Sequence, residues 1–382
     1  MQVGFVLYHD REIPFALEGY RMEVFSNKPQ DSAFIEEYNH KTDYKLQGIF
    51  MEGGNLKQSA TFFVERSLGW TCYLRCYTRS MLPSETAYDS IGFQSPSLDG
   101  AFRYQYERLE RIRSGQTIEN GTVSVYKVPF EMDGSQYALD YRIGHDNRLG
   151  LLEDYKRDGE IIVQLQTREI KECYSLSIVL SRLASFMTSH SGATFKRITL
   201  YQEGRKVGWF FCDTLSEKPA IGYEPFFVEF DVMHYIPKIL SNIATDIGNK
   251  VTHSAPLGYL DDANTLFSPQ RFMEQIIAFE YLFEKIDPRK AKDKNTPLQK
   301  ELESMIDKYP ETLGSTKKTA EEASKHIKEV RRNIVHGYAY YYDFKNDPEE
   351  RYYMLLLDKL LKKMSLQVMG FPKEDIDKFP IV

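Results

Sequence analysis

Cysteine is scarce in this chain, and its few cysteines form neither a disulfide framework nor a metal site. There are four in 382 residues, and no cysteine or histidine partners stand at the spacing that zinc sites use. We therefore predict reduced, mostly buried thiols, as in cytoplasmic proteins, and expect no metal and no cofactor. The four residues are Cys72, Cys76, Cys173 and Cys212.

Long apolar runs are also missing. No stretch approaches the ~20 residues that a membrane-spanning helix needs. The first residues lack the basic region and apolar run of a signal peptide, so we expect a cytoplasmic protein with no membrane partner. The net charge of -6 argues against a protein that coats nucleic acid nonspecifically. It does not exclude a nuclease, because only the field at the site has to be positive.

Residues 1–262 consist mainly of short β-branched and aromatic runs broken by turn residues, which predicts strands. Two helices interrupt them, Tyr174 to Met187 and, with a weaker pattern, His234 to Ile247. Ile198 to Tyr201 and Val207 to Cys212 are predicted to pair as a hairpin with a loop longer than two residues. We expect an α+β protein whose N-terminal domain is β-rich and sandwich-like. Further predicted strands are Val3 to Tyr8, Thr61 to Glu65, Trp70 to Tyr77, Thr122 to Val128, Ile161 to Gln166 and Phe226 to Phe230.

Residues 263–382 have a helical periodicity and are rich in lysine and glutamate. Ser268 followed by Pro269 predicts a helix start, with serine as the cap and proline in the first turn. Breaks before Pro288 and at Gly314, and a stop at Gly370, divide the remainder into further helices. The sequence therefore predicts an all-α bundle after the β-rich domain.

The segment 331–337, Arg-Arg-Asn-Ile-Val-His-Gly, carries the clearest chemical signal in the chain. Histidine takes or gives a proton near neutral pH, and arginine stabilises negative charge that develops on a phosphate. These residue types suit metal-free cleavage of RNA. The candidate catalytic residues are Arg331, Arg332, Asn333 and His336.

The predicted motif helix has an apolar stripe, and at 100° per residue His336 lies nearly opposite it. Arg332 and Asn333 lie four and three residues before His336, so both can lie beside it. Arg331 points away from His336 on a straight helix, and it would act by reaching around or across an interface with a second copy. An ordinary charged helix face with one exposed histidine fits the same pattern.

The C-terminal region resembles the HEPN superfamily and, within it, the ApeA-like proteins of bacterial anti-phage abortive infection. The resemblance rests on Arg331 and His336 near a helix end, on Ala278 to Leu282 with its inward glutamate, and on the closing segment from Leu355. Residues 262–382 carry it best. Many members have Asn or Asp directly after the arginine, whereas Arg332 occupies that position here. Either arginine could therefore be the functional one.

The resemblance implies a metal-independent endoribonuclease whose helical domains dimerise, so that two motifs form one composite site. His336 would act as general base or acid, the arginines would hold the phosphate, and Glu280 would position an arginine or be an ordinary helix charge. RNA contacts are expected at the motif helix and just beyond it, where aromatic rings can stack on bases. These candidates are Lys328, Tyr338 and Tyr340. The lysines between 290 and 294 could add attraction for RNA.

The resemblance also implies that the β-rich domain senses an infection signal, such as a phage-derived trigger, and restrains the nuclease. The main alternative is a non-catalytic HEPN-like protein that dimerises or binds RNA while its β domain binds another protein. A second alternative makes the β domain a hydrolase or a carbohydrate-binding sandwich. Its only sequence hints are Ser189 to Gly192, which lacks a nucleophile elbow, and the pair His145 and Asp146.

Overall fold

The computed structural model describes residues 1–26, 28–52, 56–81, 88–95, 98, 102, 121–145, 159–188, 195–215, 235–248, 267–288, 297–339 and 342–378. The chain forms two compact units. The first comprises Met1–Ser181 and Thr194–Ala220, and the second comprises Arg182–Ala193 and Ile221–Val382. The predicted boundary at residue 262, the predicted strand at 226–230 and the segment 189–192 lie outside the described residues.

The described strands of the first unit form one sheet in the order β3-β2-β1-β4-β5-β6-β12-β11-β7-β10-β9-β8. The pairs in the sheet are antiparallel, and β3 also pairs with β6, so the first six strands close into a barrel-like sheet. The β-rich region predicted from the sequence is confirmed, although its sheet closes on itself where a sandwich was expected. The strands are β1 Gln2–Tyr8, β2 Arg11–Glu18, β3 Arg21–Val24, β4 Thr42–Glu52, β5 Leu56–Leu68, β6 Thr71–Ser80, β7 Ser90–Gln94, β8 Gly121–Met132, β9 Ser135–His145, β10 Glu160–Gln164, β11 Arg197–Gln202 and β12 Arg205–Cys212.

Side-chain alternation explains why the barrel-like part closes around an aromatic core. In β2, Ile13, Phe15 and Leu17 are buried while the charged residues at the strand ends are exposed, which is the period of a half-buried strand. The ring of Phe15 meets those of Phe50 and Phe62 edge-on, with centroids 5.4 and 5.3 Å apart. Edge-to-face pairs of this kind add to the stabilisation that burial supplies.

The hairpin of β11 and β12 turns more tightly than predicted. Gln202 pairs with Arg205, so the loop contains only Glu203 and Gly204. Their φ angles are 49° and 74°, which suits the two-residue turns whose twist matches that of paired strands. The expectation of a longer loop was wrong because Glu203 takes a left-handed conformation that its residue type does not signal.

The described helices follow the predicted periodicity closely. Helix α2 buries the apolar stripe predicted for it, and α3 belongs by contact to the second unit. A short helix, α1, was not predicted. The helices are α1 Ser32–Tyr38, α2 Ile170–Thr188, α3 Ile236–Gly248, α4 Pro269–Ile286, α5 Leu298–Lys308, α6 Ala320–Val335, α7 Pro348–Val368 and α8 Lys373–Lys378.

Local signals in the sequence fix where the helices of the second unit begin. The hydroxyl of Ser268 accepts the backbone N–H of Arg271 at 3.1 Å, with Pro269 in the first turn. A capping box starts α6, in which Thr319 and Glu322 each accept the other's backbone N–H. Helix α4 packs against α7 and α5 packs against α6. The capping box fixes where the motif helix α6 begins, and packing against α5 fixes its direction.

All four cysteines are buried and free, as predicted. Burial raises the pKa of each thiol, to about 11 for Cys72, so these groups stay protonated and unreactive near neutral pH. Among the described helices, none combines the length and the apolar character required to cross a membrane.

Candidate active site

The candidate catalytic residues of the motif helix α6 lie off its buried face, as the periodicity of the helix predicts. Ala320, Ala323, Ile327 and Val330 are buried along one stripe. His336, at the C-terminal end of the helix, is exposed. The side chains of the motif are therefore available to a substrate, because the core does not require them.

The end of α6 holds His336 in a defined backbone geometry. The N–H of Gly337 donates to the carbonyl of Ile334 at 3.0 Å, and the N–H of Tyr338 donates to that of Asn333 at 2.9 Å. This pair of bonds, with Gly337 at a φ of 84°, is the Schellman helix ending, which needs a left-handed residue after the cap. His336 is that cap residue and donates its own N–H to the carbonyl of Arg332 at 3.1 Å.

The two adjacent arginines have different surroundings. Arg331 donates from Nη2 to Oε1 of Glu280 on α4 at 3.1 Å, and its Nε is buried without a hydrogen-bond partner. Nη2 of Arg332 lies 3.8 Å from Oε1 of Glu329, which is one turn earlier on the same helix. The side chain of Arg332 is 63% exposed. Arg331 is thus tied to a second helix, whereas Arg332 extends into solvent.

Asn333 is held by a residue whose role the sequence did not indicate. Its Nδ2 donates to the hydroxyl of Tyr342 at 2.5 Å. The sequence pattern marked the tyrosines after Gly337 as a cluster for stacking or packing. A hydrogen bond between positions nine residues apart, across a helix end, has no periodic signature in sequence. Tyr342 therefore positions Asn333, and Asn333 in turn accepts the backbone bond that ends the helix.

The remaining predicted site residues are spread around the helix. Lys328 donates to Oε1 of Gln299 on α5 at 3.4 Å, and Tyr338 is exposed just after the helix end. Tyr340 and the lysines between 290 and 294 lie outside the described residues. Glu280 contacts Arg331 in the structure. A role in positioning an arginine, one of the two roles considered for this glutamate, requires such a contact.

Negative charge gathers beside the Arg331–Glu280 pair. Burial, and then the charge of Glu280, raise the pKa of Glu301 on α5. The charge of Glu280 therefore acts on a second carboxyl group as well as on its partner Arg331.

A second histidine on the same helix shows what a structural histidine looks like here. The Nε2 of His326 lies 3.1 Å from Oε1 of the buried Glu350, and its ring stacks on Tyr353 with centroids 4.1 Å apart. Within the described part of the chain, the imidazole of His336 has no such partner, and no bond joins it to Arg331 or Arg332. His336 is thus the histidine of α6 that packing does not require.

The arrangement provides a proton-transfer group and guanidinium groups at one solvent-facing helix end. Among the residues that the structure describes, no group of three or more His, Cys, Asp or Glu side chains is placed to hold a metal ion. Comparisons of the chain with protein-family models, curated proteins and solved structures gave no match.

Proposed function

We propose that this protein is a metal-independent endoribonuclease of the HEPN type, similar to the ApeA-like proteins, and that it acts as a toxin in anti-phage abortive infection. One observation supports the proposal most directly. Of the two arginines, Arg331 is held by Glu280 on a neighbouring helix, while His336 on the same motif helix is exposed and is not needed for packing.

The proposed reaction uses the RNA's own 2′-hydroxyl as nucleophile. The hydroxyl loses its proton to a general base as its oxygen bonds to the adjacent phosphorus. The bond to the 5′-oxygen of the next nucleotide breaks, and that oxygen gains a proton. The products are a 2′,3′-cyclic phosphate and a 5′-hydroxyl. His336 serves as base or acid, and Arg331, Arg332 or both stabilise the charge that grows on the phosphate oxygens.

A second copy of the chain completes the proposed site. On an isolated helix the side chains of Arg331 and His336, five positions apart, point in different directions. In a homodimer of helical units, the arginine of one copy can serve the histidine of the other. Asn333, fixed by Tyr342, would orient the phosphate, and Lys328, Tyr338 and Tyr340 would contact RNA. The β-rich unit would restrain the nuclease until a phage-derived trigger arrives.

The direct test is cleavage of total bacterial RNA by the purified protein with EDTA present, to which an extract of phage-infected cells is added as the source of the trigger, compared with His336→Ala under the same conditions. We expect discrete fragments from the wild type alone, ending in cyclic phosphates. Lys325→Ala is the matched control, because it removes an exposed charge from the same helix. If His336→Ala folds and cleaves as fast as the wild type, the assignment of the site fails.

One observation favours a second candidate, a non-catalytic dimerisation or RNA-binding protein whose β-rich unit binds another protein. The imidazole of His336 is not bonded to either arginine within the described residues. RNA binding that persists in Arg331→Ala and His336→Ala, with no cleavage by the wild type, would favour this candidate.

A further inference from the structure

The proposed cleavage moves two protons on opposite sides of one phosphorus atom. One proton leaves the 2′-hydroxyl as it attacks, and another reaches the 5′-oxygen as its bond to phosphorus breaks. Each arginine–histidine pair of the proposed site contains one imidazole, that of His336, which can serve one of these two positions. Arg331 and Arg332 do not supply a proton, because a guanidinium stays charged in proteins. The reaction therefore calls for a second proton-transfer group.

Tyr342 places a hydroxyl group at the end of the motif helix that carries His336. Nδ2 of Asn333 donates to this hydroxyl at 2.5 Å. Asn333 precedes His336 by three residues, and side chains three apart on a helix are neighbours, with about 5–6 Å between their Cβ atoms. The hydroxyl of Tyr342 is thus bonded to the side chain that lies next to the imidazole on the helix surface.

The direction of that hydrogen bond leaves the proton of the hydroxyl available. The phenolic oxygen of Tyr342 accepts the amide of Asn333, and in the described part of the chain the hydroxyl has no acceptor for its own proton. An oxygen of a bound phosphate group can be that acceptor. A hydrogen bond donated to the phenolic oxygen also stabilises the negative charge that remains there when the proton leaves.

Packing holds the half-buried ring of Tyr342 in place. Its backbone N–H donates to the carbonyl of Ala339 at 3.2 Å. The centroid of its ring lies 5.9 Å from that of Phe344, and the buried ring of Phe344 lies 5.5 Å from that of Phe272 on α4. The hydroxyl is therefore positioned from two helices, α4 and α6, before any substrate binds, as a catalytic group requires.

We infer that Tyr342 is the general acid of the proposed cleavage and that His336 is its general base. The imidazole of His336 takes the proton of the 2′-hydroxyl, and the 2′-oxygen bonds to phosphorus. The 5′-oxygen leaves with the proton of Tyr342. Exchange with water then removes the proton from His336 and returns one to the phenolate. The inference rests on the proposed function, because it assigns the second proton transfer of that reaction.

Replacing the leaving oxygen with sulfur tests this role. A thiolate leaves without being protonated, because a thiol is far more acidic than an alcohol, whereas an alkoxide needs the proton. A synthetic RNA that spans a mapped wild-type cleavage site is prepared with either oxygen or sulfur as the 5′-bridging atom. The full chain cleaves both under the conditions of the direct RNA test, and the rate with the extract alone is subtracted.

The variant Tyr342→Phe should slow cleavage of the oxygen substrate about 100-fold or more, which is the usual contribution of an acid catalyst. It should cleave the sulfur substrate within about threefold of the wild-type rate, because that substrate does not need the acid. The variant keeps the ring and its contact with Phe344, and its urea midpoint verifies that it is folded. His336→Ala should slow both substrates, because both need the base.

Tyr352→Phe is the matched control. It removes a hydroxyl that donates to the carbonyl of Leu313, ahead of the start of α6, while the motif lies at the end of that helix. We expect this variant to cleave both substrates as fast as the wild type.

Three results would overturn the inference while leaving the proposed function intact. Equal slowing of both substrates by Tyr342→Phe would make Tyr342 a positioning residue for Asn333. Wild-type rates on both would assign the acid to another group, such as His336 of the partner subunit. A selective loss on the oxygen substrate in Tyr338→Phe, but not in Tyr342→Phe, would assign it to Tyr338. A wild type that cleaves no RNA would overturn the proposed function, and the inference with it.

Discussion

At the level of single residues, Arg331 and Arg332 differ more in their surroundings than in their chemistry. Arg331 is paired with Glu280 across two helices, and each side chain is about two-fifths exposed. An ion pair with that exposure contributes only about 0–1 kcal/mol to stability. Under the proposed function, the pair serves to position the guanidinium, and its contribution to stability is small.

The substitution Glu280→Gln separates these two roles. We expect it to lower the free energy of unfolding by less than about 1 kcal/mol. We expect it to slow RNA cleavage on the order of tenfold or more, because a displaced guanidinium no longer matches the phosphate. Urea unfolding and initial cleavage rates measure the two effects.

Glu284→Gln is the control for that experiment. It removes an exposed carboxylate from the same helix, one turn further along, without touching Arg331. Equal cleavage rates for Glu280→Gln, Glu284→Gln and the wild type would mean that Glu280 is an ordinary helix charge.

Gly337 gives a second prediction at this scale. A Cβ there would meet nothing within 4 Å, and its φ is 84°. The cost of Gly337→Ala is therefore conformational, about 1 kcal/mol. Gly337→Asn should cost less, because asparagine tolerates the left-handed region. Urea unfolding compares the two variants. An alanine variant as stable as the wild type would show that the helix does not need this ending.

At the level of elements, sequence reasoning succeeded where a local rule decides the structure. Ser268 and Pro269 start α4 as expected, and α6 buries its apolar stripe from Ala320 to Val330 as its periodicity requires. Contacts between segments that are distant in sequence follow no local rule and could not be predicted in this way. The bond from Asn333 to Tyr342, and the closing of the sheet through β3 and β6, depend on how elements meet in space.

The partly buried Glu301 on α5, near Glu280 on α4, gives a prediction about pH. The pKa of Glu301 is raised, by burial first and by the charge of Glu280 second. A raised pKa means that the folded state disfavours the ionised form. The stability contribution of this group is complete below the pKa of the unfolded chain, and it is lost as the pH rises through the folded pKa.

The substitution Glu301→Gln should therefore stabilise the protein at pH 7.5, because glutamine avoids the free-energy cost of ionising Glu301 in the folded state. The gain should vanish at about pH 3.5, below the ~4.3 of an unperturbed glutamate. The urea midpoints of variant and wild type at the two values measure this. Asp307→Asn, which removes an exposed carboxyl group from the same helix, is the control. A gain that is the same at both pH values would contradict the assignment of the shift.

At the level of the whole molecule, two large apolar side chains are exposed on the helices that carry the Arg331–Glu280 pair. Ile277 precedes Glu280 by three residues on α4 and is 59% exposed, and Val335 follows Arg331 by four on α6 and is 61% exposed. Residues three or four apart on a helix are surface neighbours. We propose that a second copy of the chain covers these side chains, because the proposed composite site requires a partner at this surface.

Mixing two inactive variants tests whether the site is shared between copies. Arg331→Ala and His336→Ala should each cleave no RNA alone. In a 1:1 mixture that exchanges subunits, half of the dimers pair the intact arginine of one copy with the intact histidine of the other. We therefore expect about a quarter of the wild-type activity to return, since each mixed dimer keeps one of the two arginine–histidine pairs that the two-fold interface contains. Each variant alone at doubled concentration is the control. If the mixture exchanges subunits and stays inactive, the arginine and the histidine must act within one chain. Arg331 would then have to leave Glu280 to reach the phosphate.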